Sequence, residues 1–209
     1  MLDQRGFDLW ADGYDVTVGL SDEGNTYPFA GYKEVLGGIF RTVMEKRGAV
    51  VLDIGFGTGT LTAKLYENGC VIYGQDFSAR MIGLAAAKMP EARLYQGDFA
   101  EGLAEELRVR KYDFIVATYS LHHLTDEEKV VFLKDLRERL TEGGRILVGD
   151  VAFSTREEMD RCREEAGEAW DDEEIYFVIE EMRKVFPELV FQPVSYCAGI
   201  LTLPGRTGE

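Results

Sequence analysis

The sequence predicts an α/β fold: a three-layer sandwich with helices on both faces of a mostly parallel β-sheet. Three observations carry this expectation. From residue 49 onward, short apolar runs rich in β-branched residues alternate with segments of helical pattern. Those runs are apolar at nearly every position, which fits strands buried on both faces. The first run leads into VVLDIGFGTGTL, residues 50–61, where Gly55, Gly57 and Gly59 make a tight strand-to-helix turn.

The elements follow in order. Residues 1–47 precede the sheet, read as helical with an interruption at GNTYPFAGY, and are expected to cover one edge of the site. Ala49–Ile54 is the first strand. Thr58–Asn68 follows as a helix that Gly69 ends. Val71–Gln75 is the second strand. Ser78 caps a helix over Arg80–Lys88, and Pro90 stops its continuation. Arg93–Gln96 is a short strand and Ala100–Arg108 a short helix. Asp113–Tyr119, reading DFIVATY, is the fourth strand. Thr125 and Glu128 form a capping box for a helix over Asp126–Leu140, closed by Gly143 and Gly144. Arg145–Phe153 is the fifth strand. Two helical stretches, Glu157–Trp170 and Asp172–Phe186, precede strands at Leu189–Tyr196 and Ala198–Leu203. These last strands are close enough in sequence to pair as an antiparallel hairpin. No repeat, low-complexity tract or linker divides the chain. Residues 1–209 are therefore expected to form one domain: cover (1–47), core (48–153), and a segment of helices with a C-terminal hairpin (154–209).

Composition narrows the function classes. A chain of 209 residues with 45% hydrophobic and 11% aromatic residues can build a full core and is not a disordered segment. No apolar run reaches the ~18 residues that span a bilayer. The start, MLDQRGFDLWADGYD, lacks a basic stretch followed by an apolar one, so no secretory signal is expected. Cys70, Cys162 and Cys197 are odd in number and widely separated. Their spacing predicts neither a disulfide framework nor a zinc site, no metal centre is expected, and a reducing cytoplasm is the expected setting. Acids outnumber bases 38 to 23, for a net charge of −15, with most of the excess in residues 101–209. Such a field repels polyanions. A nucleic-acid partner would need a basic groove, and no cluster of Lys and Arg supplies one.

The glycine turn admits three readings. A P-loop requires GxxxxGK[ST], but Thr60 and Leu61 stand where its Gly and Lys belong. A dinucleotide fingerprint requires GxGxxG, and here the third glycine arrives one residue early. The turn also carries Asp53 two residues before Gly55, where an acid suits an ammonium group or its ordered waters better than a pyrophosphate. Asp76 ends the second strand, in GQDFS, where a carboxylate can accept hydrogen bonds from both ribose hydroxyls. That geometry serves any adenosine cofactor. Asp98 follows the third strand, in QGDFA, where it can accept from an adenine amino group while Phe77, Met81 and Phe99 sandwich the ring.

Together these segments resemble the class I S-adenosylmethionine-dependent methyltransferases. VLDIGFGTG resembles their first motif, GQDFSARM their ribose segment and QGDFA their adenine segment. KYDFIVATYSLHHL is similar to their fourth strand and following loop, and LTEGGRIL to the entry of their fifth. The resemblance is close over about residues 50–150, and the chain resembles small bacterial methyltransferases of the YrrT type. It implies a Rossmann-like sheet of seven strands whose last strand is antiparallel. S-adenosylmethionine is the cofactor implied, with S-adenosylhomocysteine as product. The cofactor-binding residues implied are Tyr14, Asp53, Gly55, Gly57, Thr58, Gly59, Asp76, Phe77, Met81, Asp98, Phe99 and Thr118. Phe56 stands where a smaller residue is more usual, which leaves the backbone logic intact.

Methyl transfer from a sulfonium is an in-line displacement that needs alignment, exclusion of water and, for some acceptors, a base. The loop after the fourth strand, Thr118-Tyr119-Ser120-Leu121-His122-His123, is not [ND]PP[YFW], so amide-nitrogen acceptors lose their usual loop. No cysteine follows a proline, so cytosine-C5 chemistry lacks its nucleophile. His122 and His123, the only histidines, are candidate bases, and Asp150 stands near the same rim. Phe7, Trp10, Ala11, Tyr14 and Asp15 recur with helical spacing. The resemblance places Tyr14 and Asp15 near the methionine end of the cofactor, making Tyr14 a further candidate, and makes Tyr27, Phe29 and Tyr32 walls of the acceptor pocket. Residues 157–181 hold 12 acids and two arginines, read as amphipathic helices with a solvated face or as a rim favouring cationic substrates. The resulting expectation is a methyltransferase with a small-molecule acceptor and no nucleic-acid or membrane partner, monomeric or a homodimer. The alternatives are a protein or RNA methyltransferase and a non-catalytic cofactor-binding protein; a nicotinamide-dependent oxidoreductase is disfavoured by the glycine spacing and Asp98.

Overall fold

The computed structural model describes residues 25–206. The expectations for Phe7, Trp10, Ala11, Tyr14 and Asp15 lie outside them. Helix α1 (Tyr32–Val43) leads to strand β1 (Val50–Ile54), helix α2 (Thr60–Glu67) and strand β2 (Val71–Asp76). Helix α3 (Ala79–Lys88), strand β3 (Arg93–Gln96), the short helix α4 (Glu105–Arg108) and strand β4 (Tyr112–Thr118) follow. Then come helix α5 (Asp126–Arg137), the long strand β5 (Leu140–Phe153) and helix α6 (Arg156–Ala166). Strand β6 (Phe177–Val178), helix α7 (Ile179–Met182), and strands β7 (Val190–Pro193) and β8 (Ala198–Pro204) complete the order.

The sheet runs β3-β2-β1-β4-β5-β8-β7, with β6 paired to β5 off this path. β1 lies parallel to β2 and β4, and β4 parallel to β5, while β8 is antiparallel to both β5 and β7. The expected seven-strand sheet with an antiparallel last strand is present, joined by the two-residue β6. Strand order reverses between β1 and β4, the switch point at which open α/β sheets bind ligands.

Alternation along the strands builds two cores. Val51, Phe114, Val116, Leu147 and Val151 face one side with Val35, Ile39 and Val43 of α1 and Leu61 and Leu65 of α2. Leu52, Ile54, Ile115, Ala117, Ile146 and Val148 face the other side with Leu107 of α4 and Phe132, Leu133 and Leu136 of α5. Neighbouring positions on one strand thus feed opposite layers. Gly149 lets α1 close on the sheet: a Cβ there would lie 2.4 Å from Val35 Cγ1.

The caps read from the sequence are present. Ser78 Oγ accepts from the Met81 N–H at 3.2 Å, and Thr125 and Glu128 form the reciprocal capping box. Three expectations need correction. Gly143 and Gly144 do not close a helix, since α5 stops at Arg137. They form a bulge in β5, because Tyr112 pairs with Leu140 but Phe114 with Arg145. Any Cβ on Gly144 would sit 3.0 Å from the Asp113 carbonyl oxygen. The expected helix over 100–108 is split at Gly102 (φ 98°), where Gln75 replaces the lost helical bonds. Its side-chain amide donates to the Gly102 carbonyl at 2.9 Å and its oxygen accepts from the Ala104 N–H at 2.7 Å. The expected helix over 172–186 is instead β6 and the four-residue α7. Tyr176, Phe177, Val178 and Ile179 are all buried, and a strand beside β5 buries both faces where a helix buries one stripe.

Candidate active site

A cavity of about 540 Å³ opens at the carboxyl ends of β1, β2 and β4. Such a volume suits a cofactor-sized molecule. Most of its wall comes from strand-to-helix connections.

The β1–α2 turn supplies the floor. Gly55 has φ 68°, and its N–H donates to the Gln75 carbonyl at 2.8 Å. A Cβ on Gly55 would lie 2.5 Å from Ser120 Cβ, so the β4 loop closes directly on this backbone. Ser120 Oγ holds that closure by donating to the Ile54 carbonyl at 2.8 Å. Gly57 (φ 55°) faces open space, with nothing within 4 Å of where a Cβ would project. Gly59 (φ 79°) turns away instead: its Cβ position is 3.2 Å from Met89 Cε and 3.3 Å from Ala85 Cβ, which lets α2 pack on α3.

Asp76 stands on the wall between two backbone donors. Its Oδ2 accepts from the Gly57 N–H at 2.8 Å and its Oδ1 from the Ser78 N–H at 2.9 Å. Those bonds fix the carboxylate at the end of β2. Phe77 and Met81 flank it, and Asp98 and Phe99 form the next wall beyond β3. Asp98 Oδ1 accepts from the Ala100 N–H at 2.8 Å, and Phe99 stacks on Phe132 with ring centres 6.1 Å apart.

The connection after β4 brings the histidines in. Tyr119 sits at φ 50°, backed by Phe29 and Tyr32 at ring distances of 5.3 and 5.1 Å. His122 Nδ1 lies 2.7 Å from Asp150 Oδ1, a carboxylate at the end of β5 with no solvent exposure. His122 Nε2 faces Glu174 Oε1 at 3.5 Å. Burial opposes charge on His122, but Asp150 and then Glu174 outweigh it and lift the pKa above the ordinary value. His123, its ring centre 4.3 Å from that of His122, is pushed down to about 4 by burial and by repulsion from His122.

Residues 171–176 close the opposite side. The Ile175 N–H donates to the His122 carbonyl at 2.8 Å, and the buried Lys129 Nζ donates to the Ile175 carbonyl at 2.6 Å. Tyr176 donates its hydroxyl hydrogen to Glu174 Oε2 at 2.6 Å. Tyr27 stacks on Trp170 at 5.2 Å and accepts from the Asp171 N–H at 3.2 Å.

Of the residues singled out in the sequence, Gly55, Gly57, Asp76, Phe77, Met81, Asp98, Phe99, His122, His123 and Phe29 line this one cavity. Asp53, Thr58, Gly59, Thr118, Tyr27 and Tyr32 lie outside its wall. Asp53 is buried behind the turn, where its Oδ2 accepts from the Thr62 hydroxyl and its Oδ1 has no partner among the described residues. Burial pushes its pKa up to about 7, opposed by the Thr62 bond and aided by the charge of Asp76. Thr58 is buried too, with its carbonyl accepting from Lys88 Nζ at 2.8 Å. The sequence did not single out Pro28, Val151, Asp171, Glu173 or Glu174 as wall residues, yet they complete the cavity. The acidic run over 157–181 was the only signal for Asp171, Glu173 and Glu174, which stand at the rim.

The relatives of the chain bear on what the cavity is for. Residues 51–144 match the family described as a methyltransferase domain. An uncharacterized methyltransferase of Geobacillus sp. (strain WCH70) is 39% identical over 190 residues, which is 87% of this chain and 86% of that protein. Among solved structures, DhpI with S-adenosylhomocysteine superposes with a TM-score of 0.71 at 18% identity, covering 98% of this chain and 96% of that one. The magnesium protoporphyrin IX methyltransferase of Synechocystis PCC 6803 with bound S-adenosylmethionine gives 0.66 at 18% identity and 99% coverage of both. With the glycine turn, the acid after β2 and the sheet order all in place, the chain belongs to the class I S-adenosylmethionine-dependent methyltransferases.

Proposed function

We propose that the protein transfers the methyl group of S-adenosylmethionine to a small-molecule acceptor, with cofactor and acceptor sharing the one cavity. The observation that carries this reading is the continuity of that cavity from the Gly55–Gly57 turn to the His122, His123 and Glu174 rim. The wall fits the cofactor: open space lies over the Gly57 backbone, and Asp76 and Asp98 stand as acceptors at successive strand ends.

When bound, the cofactor supplies a methyl group made electrophilic by its sulfonium sulfur. In this reading Asp76 accepts from the ribose hydroxyls, and the two backbone bonds that hold its carboxylate make it pre-organised. Asp98 accepts from the adenine amino group, and Phe77, Met81 and Phe99 enclose the ring. Gly55 and Gly57 allow close approach of the methionine portion to the backbone. The β4 loop and residues 171–174 hold the acceptor and exclude water. Such alignment supplies up to roughly 7–11 kcal/mol of barrier lowering without any side chain becoming covalently involved.

A small acceptor is favoured over a macromolecule on two counts. The net charge of −15 repels nucleic acid, and Asp171, Glu173 and Glu174 add negative charge at the mouth itself. These acids favour neutral or cationic acceptors. The test is production of S-adenosylhomocysteine by the purified protein with a panel of small amines, thiols and hydroxy compounds, beside a basic protein and RNA. Turnover that depends on a small molecule supports the reading. Turnover only with protein or RNA, or cofactor binding with no turnover on any class, overturns it.

A further inference from the structure

We propose that His122, His123 and Glu174 form a binding site for a divalent first-row transition ion at the acceptor end of the cavity. One potential ligand atom from each residue lies within 4.8 Å of the other two, the one such group among the described residues. His122 Nε2 and Glu174 Oε1 are already 3.5 Å apart. Metal–ligand bonds of 2.0–2.1 Å in a tetrahedron separate ligand atoms by about 3.4 Å, so a small side-chain contraction completes the set. Two imidazoles and one carboxylate are the ligand set of open catalytic zinc sites and of non-haem iron sites.

The surroundings are those of a metal site. A ligating histidine usually gives its second ring N–H to a carboxylate, which fixes its tautomer. Asp150, wholly buried, does this for His122 through Nδ1 at 2.7 Å and directs Nε2 toward Glu174. Glu174 is oriented in the same way, since Tyr176 engages Oε2 and Oε1 is the atom that meets His122. Buried Asp150 Oδ2 has no hydrogen-bond partner among the described residues. Lys129 opposes a cation here, but Asp150, Asp171, Glu173 and Glu174 outnumber it.

This role rests on the methyl-transfer reading. The ion binds a hydroxyl or thiol of the acceptor and lowers its pKa, and the proton leaves to solvent water. The acceptor lone pair then forms the bond to the methyl carbon. The carbon–sulfur bond breaks, and its electron pair stays on the sulfur of S-adenosylhomocysteine. The protein supplies the charge and position that a general base would otherwise provide.

The experiment titrates the full chain, freed of metal by chelation, with Co²⁺ alone and follows its visible absorption. His123→Gln, Glu174→Gln and Asp150→Asn are measured alongside, with circular dichroism to check folding and calorimetry to measure S-adenosylhomocysteine binding. One equivalent of Co²⁺ should bind to the wild type. Loss of His123 or Glu174 should abolish the absorption, and Asp150→Asn should weaken affinity about 10–100-fold. Folded wild-type protein that binds no Co²⁺, or folded variants that bind it as the wild type does, overturns the proposal. Co²⁺ binding without S-adenosylhomocysteine binding would leave the metal site standing and remove the cofactor reading. The converse would remove only the metal site.

Discussion

Asp53 offers the sharpest test of the buried electrostatics. Asn has the same shape, keeps an oxygen for the Thr62 hydroxyl and cannot ionise. In the folded protein burial raises the Asp53 pKa from 3.8 to about 7. An acid with a raised folded pKa binds its proton more tightly in the native state than in the unfolded one. It therefore costs no stability below pH 4, and the cost grows as pH rises from about 4 to about 7. At 1.36 kcal/mol per pH unit, that window amounts to about 4 kcal/mol lost by pH 8. The amide pays a different penalty. Its NH₂ occupies the place of the unpartnered Oδ1 and lacks an acceptor, at about 1–3 kcal/mol independent of pH.

The expected result is a crossing. Asp53→Asn is the less stable protein at pH 4 and the more stable one at pH 8. Guanidinium unfolding followed by tryptophan fluorescence and circular dichroism, at intervals from pH 4 to 8, measures both curves. His122, whose pKa is also raised against burial by Asp150, makes both proteins lose stability as pH climbs through its folded value. Because His122 is present in both, the difference between curves isolates Asp53. A difference that stays constant from pH 4 to 8 would refute the burial argument, showing that Asp53 is solvated or shares its charge.

Three further outcomes follow from the same geometry. Gly55→Ala places a Cβ 2.5 Å from Ser120 Cβ at φ 68°; the left-handed conformation alone costs about 1–2 kcal/mol, so thermal unfolding should show a loss larger than that, and S-adenosylmethionine affinity should fall with it. Asp76→Ala should weaken S-adenosylmethionine binding by roughly ten- to hundredfold, the loss of about 1.5–3 kcal/mol from a charged acceptor, and unchanged affinity by calorimetry would displace the ribose from β2. Phe132→Ala should cost about 3–5 kcal/mol in denaturant unfolding, because the ring is buried beneath α5 and stacks on Phe99.

Much of the fold was legible because each β–α connection carries its own local signal. The apolar runs gave β1 to β5, Ser78 and the Thr125–Glu128 box gave two helix starts, and the short interval between β7 and β8 gave the hairpin. Where the reading failed, a distant partner had overridden the local pattern. Gly143 and Gly144 look like a helix stop, but opposite β4 they become a bulge. Residues 172–186 carry helical spacing and acidic residues, yet β5 offers an open pairing edge for Phe177 and Val178. Gln75, one polar residue at a strand end, decides that residues 100–108 break at Gly102.

The candidate site divides along the same line. Its glycines and the acids after β2 and β3 sit where strands end, so their order in sequence is their order in space. The His122–Glu174 end is different, because it is assembled by segments distant in sequence. Glu174 reaches His122 because Ile175 is pinned at its N–H by the His122 carbonyl and at its carbonyl by Lys129. Asp150 reaches it because β4 and β5 are neighbours, with Thr118 opposite Gly149. No spacing rule connects His123 to Glu174, so the absence of a metal motif in the sequence carried no information about this cluster. The loop that carries Glu174 is held in place by the hydrogen bonds of Ile175 and Lys129, far in sequence from the glycine turn. The glycine and acid wall is therefore the part of the site that sequence pattern reads, and the His122–Glu174 end is the part that tertiary contacts write.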